Sequence, residues 1–200
     1  MVKRTELASF KAQRYSKPLV AMNVKGEDEI VDVHLTDGSL DVFFMTHHGL
    51  ALWYDEEEVN IVGPRAAGVK GINLKEEDFV VGMKVLGKDT EEAIAIVTQR
   101  GSVKQMKLSE FEKTSRAKRG VVVLRELKAH PHRVIGFEMV TKSDCLSILS
   151  EKGKLETVQV ASLKYSDRYT NGSFILDESE SGQAKEIWKN LIEEVDKSIH

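Results

Sequence analysis

The chain has 200 residues, 41% of them hydrophobic and 30% charged, with a formal net charge of −3. That is ordinary soluble composition and enough length for one large domain or two small ones. Three prolines argue against a long disordered linker, and no apolar run approaches the roughly 20 residues of a membrane span.

The chain opens on MVKRTELASF, which lacks the apolar segment of a secretory signal. Cys145 stands alone, so an internal disulfide is excluded and a reducing, cytoplasmic compartment is expected. Residues 2–10 (VKRTELASF) keep the register of 103–111 (VKQMKLSEF), which follow a hairpin glycine. The chain thus starts in mid-unit and is expected to be part of a longer array.

Next come three look-alike stretches: FFMTHHGLALW (43–53), AIVTQRGSVKQ (95–105) and SILSEKGKLET (147–157). Each is a β-rich run, a Thr or Ser, two polar residues, a glycine and a second run. This spacing predicts a β-hairpin whose tight loop places Gly at positive φ. Gly49, Gly101 and Gly153 are evenly spaced, about 50 residues apart. The connectors YDEEEV (54–59), LSEFEK (108–113) and VASLKY (160–165) read as single helical turns or exposed polar links.

An arginine loop keeps the same period. Arg14, Arg65, Arg116 and Arg168 recur at near-equal steps, and Gly68, Gly120 and Gly172 close the last three loops. Two features in step point to stacked units of several short strands, a propeller-like array. One unit cannot bury its apolar face alone. The predicted units lie near 2–49, 50–101, 102–153 and 154–176, with 177–200 as an acidic tail. In that tail Ile187, Trp188, Leu191, Ile192 and Val195 recur at helical spacing, so an amphipathic helix is expected over 181–200 after Ser181.

Charge is uneven along the chain. Residues 100–133 hold ten Lys and Arg against three acids, whereas 172–200 hold seven acids against three Lys. A basic segment followed by an acidic tail suggests a polyanion partner and a tail that competes with it. The candidate phosphate contacts are Arg14, Arg65, Lys70, Arg100, Lys104, Lys107, Arg116, Lys118 and Arg119. Lys3, Arg4 and Lys11 occupy matching positions in the first unit. Arg168 stays outside the set because Asp167 and the acidic tail adjoin it. A phosphate-cradling GxxxxGK[ST] sequence is absent, and His130, His132 and Cys145 fit no common zinc spacing. No cofactor or metal is expected. Cys145 is expected to be buried, and His47 and His48 to sit exposed at a hairpin tip.

The stretches EEEVNIVGPRAAGVKGINLKEEDFVVGM (56–83), TQRGSVKQMKLSEFEKTSRAKRGVVVLRELKAHPHRV (98–134) and DRYTNGSFIL (167–176) resemble a known family. It is the C-terminal domain of the A subunit of bacterial topoisomerase IV, of the Gram-positive type, with its relative in the A subunit of DNA gyrase. The resemblance reaches to about Leu176. It implies an all-β pinwheel, here a partial or short array, of four-stranded blades that exchange a strand with their neighbours. It also implies a basic rim that binds or bends duplex DNA. The parent would be an ATP-dependent type II DNA topoisomerase whose strand-cleaving tyrosine lies in another domain; this domain is not catalytic alone, and its partners would be duplex DNA, the B subunit and the other domains of the A subunit. In gyrase one blade carries the box Gln-Arg-Arg-Gly-Gly-Lys-Gly. Against it, 114–120 keeps Arg116 and Gly120, and Arg119 stands where the box has Lys. Thr114, Ser115, Ala117 and Lys118 depart, which puts gyrase-like wrapping in doubt. A protein-interaction pinwheel that meets an acidic chromosome-organising protein remains an alternative.

Overall fold

A computed structural model describes residues 1–11 and 16–190. The predicted contact Arg14 and the helical positions Leu191, Ile192 and Val195 lie outside these residues. The described chain forms three antiparallel sheets. The first, blade 1, orders β3 (Val80–Leu86), β1 (Asp41–Thr46), β2 (Leu50–Asp55) and β6 (Val121–Val122). Blade 2 orders β10 (Ser173–Phe174), β5 (Ser102–Lys107), β4 (Ala93–Thr98) and β7 (Val134–Val140). Blade 3 orders β11 (Ala184–Asn190), β8 (Cys145–Ser150) and β9 (Leu155–Gln159).

The blades stack face to face, which explains why β1 and β4 are buried at every position. Side chains alternate along a strand, so each central strand feeds two cores. Phe43 and Met45 of β1 meet Ile94 and Ile96 of β4 in one core. Phe43 also stacks edge-on against Phe111, with ring centroids 5.1 Å apart. Val42 and Phe44 face the opposite way, toward Tyr54, Val2 and Val69. Ala93, Ala95 and Val97 line the second face of β4 and pack on Leu146 and Ile148 of β8. Truncating one of the large members, such as Ile96→Ala, is expected to cost about 2–5 kcal/mol.

Each connector contains a short 3-10 turn, at Glu56–Glu58, Leu108–Glu110 and Val160–Ser162. The DEEE connector is not wholly exposed as its charge suggested. Glu56 is buried, and its carboxylate accepts from the Gly38 and Leu40 amides and the Thr36 hydroxyl. It thereby shapes the turn into β1. Cys145 is half-buried at the head of β8 rather than in the core.

The amphipathic helix expected over 181–200 is corrected within the described residues. Helix is confined to α1 (Glu178–Ser181), and Gly182, at φ 73°, ends it. Ala184–Asn190 is strand β11, paired antiparallel with β8. A register break between Ala184 and Glu186 interrupts strict alternation, so the apolar positions imitate a helical period. The same irregularity sits at the head of β3 and of β7. Pairing to β8 and burial of Ala184 and Ile187 against blade 2 override the local pattern. Residues 177–190 therefore build blade 3 and are not a free acidic tail. No helix among the described residues is long and apolar enough to cross a membrane.

Candidate nucleic-acid interface

The rim is made where blades 1 and 2 each receive a strand from the next unit. The outer hairpin strand presents two carbonyls, two and four residues after the hairpin glycine. In blade 1, Ala51 pairs with Val121, and the Trp53 carbonyl accepts the Thr114 amide at 2.9 Å. In blade 2, Val103 pairs with Ser173, and the Gln105 carbonyl accepts the Ser166 amide at 2.8 Å. The first unit repeats this with Val2 against Val69 and the Arg4 carbonyl accepting the Val62 amide. Between each such pair of contacts the incoming chain makes a loop, 114–120 in blade 1 and 166–172 in blade 2. Gly120 and Gly172 close these loops at φ 85° and 77°. A Cβ on either would collide with the Ala51 or Val103 carbonyl, so the approach admits only glycine.

Each loop is hydrogen-bonded to the segment that follows the preceding exchange strand. The Ala117 amide donates to the Gly71 carbonyl at 3.0 Å, and the Asn73 amide to the Lys118 carbonyl at 2.8 Å. One unit on, the Arg125 amide donates to the Asn171 side-chain oxygen at 2.9 Å. Both loops are thus tied to the chain on either side of them and are not isolated tips.

Of the predicted contacts, Arg65, Lys70, Lys107, Lys118 and Arg119 have exposed side chains. Lys70 donates to Asn73, and the Lys107 ammonium lies 5.2 Å from the centre of the Tyr165 ring. Among the described residues no acid pairs with any of these five. Lys118 and Arg119 are adjacent on the loop that Gly120 closes. Ala117, which stands where the gyrase box has Gly, holds a left-handed φ of 63°.

Three predicted contacts are otherwise occupied. Lys104 is buried, and its ammonium donates to the Val123 and Thr170 carbonyls at 2.6 and 2.8 Å. Burial pulls its pKa down to about 8, against smaller opposing effects of Asp167 and Glu110. It is an internal donor, not a free phosphate contact. Arg116 is half-buried; its guanidinium donates to the Glu58 carbonyl at 3.0 Å and the Lys70 carbonyl at 2.6 Å. Arg100 lies at the β4–β5 tip, away from the loop. It pairs with Glu178 at 3.4 Å, donates to the His130 carbonyl and covers the Phe174 ring.

Sequence reasoning passed over two cations in the same basic segment. Arg125 and Lys128 are exposed and unpaired among the described residues. They fall outside the arginine-loop period, which is why the periodic pattern did not select them. Arg133, by contrast, is engaged by both carboxylate oxygens of Glu126 at 3.1 Å.

The histidines do structural work. His132 is buried, with Nδ1 3.0 Å from the Thr98 hydroxyl and 3.2 Å from that of Ser102. Burial, reinforced by Arg100, holds its pKa below the usual value. His47 is half-buried and stacks on Phe79 with ring centroids 4.5 Å apart. No group of three or more His, Cys, Asp or Glu among the described residues is placed to hold a metal ion.

Comparison with known proteins follows the same line. A family model described as "DNA gyrase C-terminal domain, beta-propeller" matches residues 1–37, 40–86 and 92–141. The A subunit of DNA topoisomerase 4 from Bacillus subtilis (strain 168) is 57% identical over 189 residues, covering 94% of this chain and 23% of that protein. The Staphylococcus aureus (strain MRSA252) protein of the same name is 36% identical over 188 residues, with the same coverage. The chain thus spans 23% of the length of these relatives. A crystal structure of the C-terminal domain of DNA topoisomerase IV superposes with a TM-score of 0.91 at 57% identity, covering 94% of this chain and 58% of that one. A DNA gyrase A C-terminal domain structure superposes with a TM-score of 0.77 at 17% identity, covering 86% of this chain and 58% of that one, a likeness of fold alone.

Proposed function

Because the chain belongs to the DNA gyrase C-terminal domain family of β-propellers, we propose that it is the C-terminal DNA-binding region of a topoisomerase IV A subunit. It binds duplex DNA along the line of exchange loops, bends it and presents it to the cleavage core. The observation that carries this reading is the placement of Lys118 and Arg119, exposed and unpaired among the described residues, on a loop tied to the segment after the first exchange through the Asn73–Lys118 contact. Arg65, Lys70, Lys107, Arg125 and Lys128 extend the positive surface.

Such cations bind phosphates and carry little sequence information. Arg offers a planar fork to phosphate oxygens and Lys a mobile charge. Contacts spaced along a curved edge favour a curved duplex. Bending over tens of base pairs costs on the order of 1–6 kcal/mol, which distributed contacts offset. The partners in this reading are duplex DNA, the B subunit and the other domains of the A subunit, in the cytoplasm of a bacterium. Any chromosome-organising protein would be a further partner.

The test is a binding titration on linear duplex and supercoiled plasmid at two salt concentrations, with Lys118→Ala/Arg119→Ala alongside. Affinity that falls steeply with salt, and a shallower dependence in the variant, is the expected result. A folded chain that binds neither DNA would contradict the reading.

A further inference from the structure

Lys104 is a buried lysine that phosphate binding does not explain. It is 1% exposed, yet every hydrogen bond its ammonium makes is to the rim. The Thr170 carbonyl belongs to the blade 2 exchange loop. The Val123 carbonyl belongs to the segment that has just left the blade 1 exchange strand, β6. One side chain thus joins two consecutive rim segments from beneath. Asn171 reinforces the junction: its side-chain oxygen accepts the Arg125 amide, and its carbonyl accepts the Ser102 hydroxyl.

The arrangement recurs. Lys3 holds the register position of Lys104 in the first unit, and its ammonium reaches the Ala21 and Pro64 carbonyls. Pro64 lies in the first exchange loop, four residues before Gly68. Blade 1 has Leu52 at this register position, and there Arg116 bridges the Glu58 and Lys70 carbonyls instead. Each of the three junctions is therefore spanned by one basic side chain bonded to two backbone carbonyls.

We propose that Lys104 is a positioning residue for the rim, which fixes the 166–172 loop to the segment after β6 so that neighbouring loops meet a ligand as one rigid surface. Its role toward DNA rests on the function proposed above; its role as a clamp does not. A displaced side chain leaves two carbonyls unsatisfied and frees the loop from that segment. Charged groups that bear on the ammonium are Asp167 and Arg168 from the loop and Glu110 from the connector after β5. The two acids favour its charged form and Arg168 opposes it.

The test pairs amide hydrogen exchange with DNA binding in the full chain, comparing Lys104→Met with Lys118→Ala/Arg119→Ala. In Lys104→Met, exchange should rise roughly tenfold across 121–126 and 168–174 and stay unchanged in β4 and β8. DNA affinity should fall severalfold while the slope of log K against log salt stays that of the parent chain. The rim double variant should show the reverse, a shallower slope and unchanged exchange. Unchanged exchange in Lys104→Met would overturn the proposal, as would a slope reduced as in the rim variant. If no protein binds DNA, the functional reading fails while the exchange result still decides the clamp. If Lys104→Met does not fold, native-state exchange in the unaltered chain decides: amides of 121–126 and 171–174 that open together support the clamp, and independent opening of the two segments overturns it.

Discussion

Three residues after the hairpin glycine, blade 1 has Leu52 and blade 2 has Lys104. The two exchange loops above them have the same length and the same closing glycine, and they differ in how cations are used. In blade 1 the loop 114–120 spends one cation, Arg116, on carbonyls and leaves Lys118 and Arg119 exposed. In blade 2 the bridging cation comes from the strand beneath, and the loop carries Asp167, Arg168 and Tyr169 instead. There Arg168 lies over its neighbour, 5.4 Å from the centre of the Tyr169 ring. Periodic basic residues thus serve two ends. Some hold the propeller's edge together, and others face outward from it. A count of positive charge does not separate them; the carbonyls around each one do.

The contrast can be broken most severely at the glycines. Gly120→Val and Gly172→Val each drive a side chain into a carbonyl and force a β-branched residue into the left-handed region. Each should cost about 3 kcal/mol or more, read as a lowered Tm, and release the exchanged strand. Lys104 gives the next effect and a pH signature. Its folded pKa, about 8, is below the ordinary value of 10.5 for lysine. Between those limits the unfolded chain binds more protons than the folded one, so stability rises with pH from about 8 to 10.5. Denaturant midpoints across that range should climb in the parent chain, and Lys104→Met should remove that climb. In blade 1, Leu52→Met should leave the pH profile unaltered.

Smaller effects are expected on the outer side of the rim. Lys118→Ala/Arg119→Ala should change stability by less than about 0.5 kcal/mol and reduce the salt slope of DNA binding. Arg116→Ala should do the opposite, lowering Tm through two orphaned carbonyls with little change of slope. The smallest change expected is Ala117→Gly. Relief of a non-glycine residue from φ 63° should stabilise the loop by up to about 1 kcal/mol, measured as a small rise in Tm.

The stacked-blade fold is legible in the sequence because it repeats. Gly49, Gly101 and Gly153 mark the hairpin turns, and Gly68, Gly120 and Gly172 the positions of strand exchange. β11 was hidden for a physical reason. The register break after Ala184 disturbs the two-residue alternation, and Lys185, Glu186 and Lys189 flank Ile187 and Trp188, so local pattern favoured a helix until pairing with β8 decided otherwise. At the rim, residue type and period pointed to Lys118 and Arg119. The same logic misread Lys104, because nothing local shows that Val123 and Thr170 turn their carbonyls inward on either side of it. Arg125 and Lys128 went unselected because they break the period.

If the exchange loops of neighbouring blades form one DNA-facing surface, a bound duplex shields them together. Amide hydrogen exchange of the full chain with and without a saturating linear duplex tests it most directly. Added protection is expected across both 114–120 and 166–172, with β11 unchanged. Protection confined to β11 or the blade faces, or protection of one loop without the other, would contradict it.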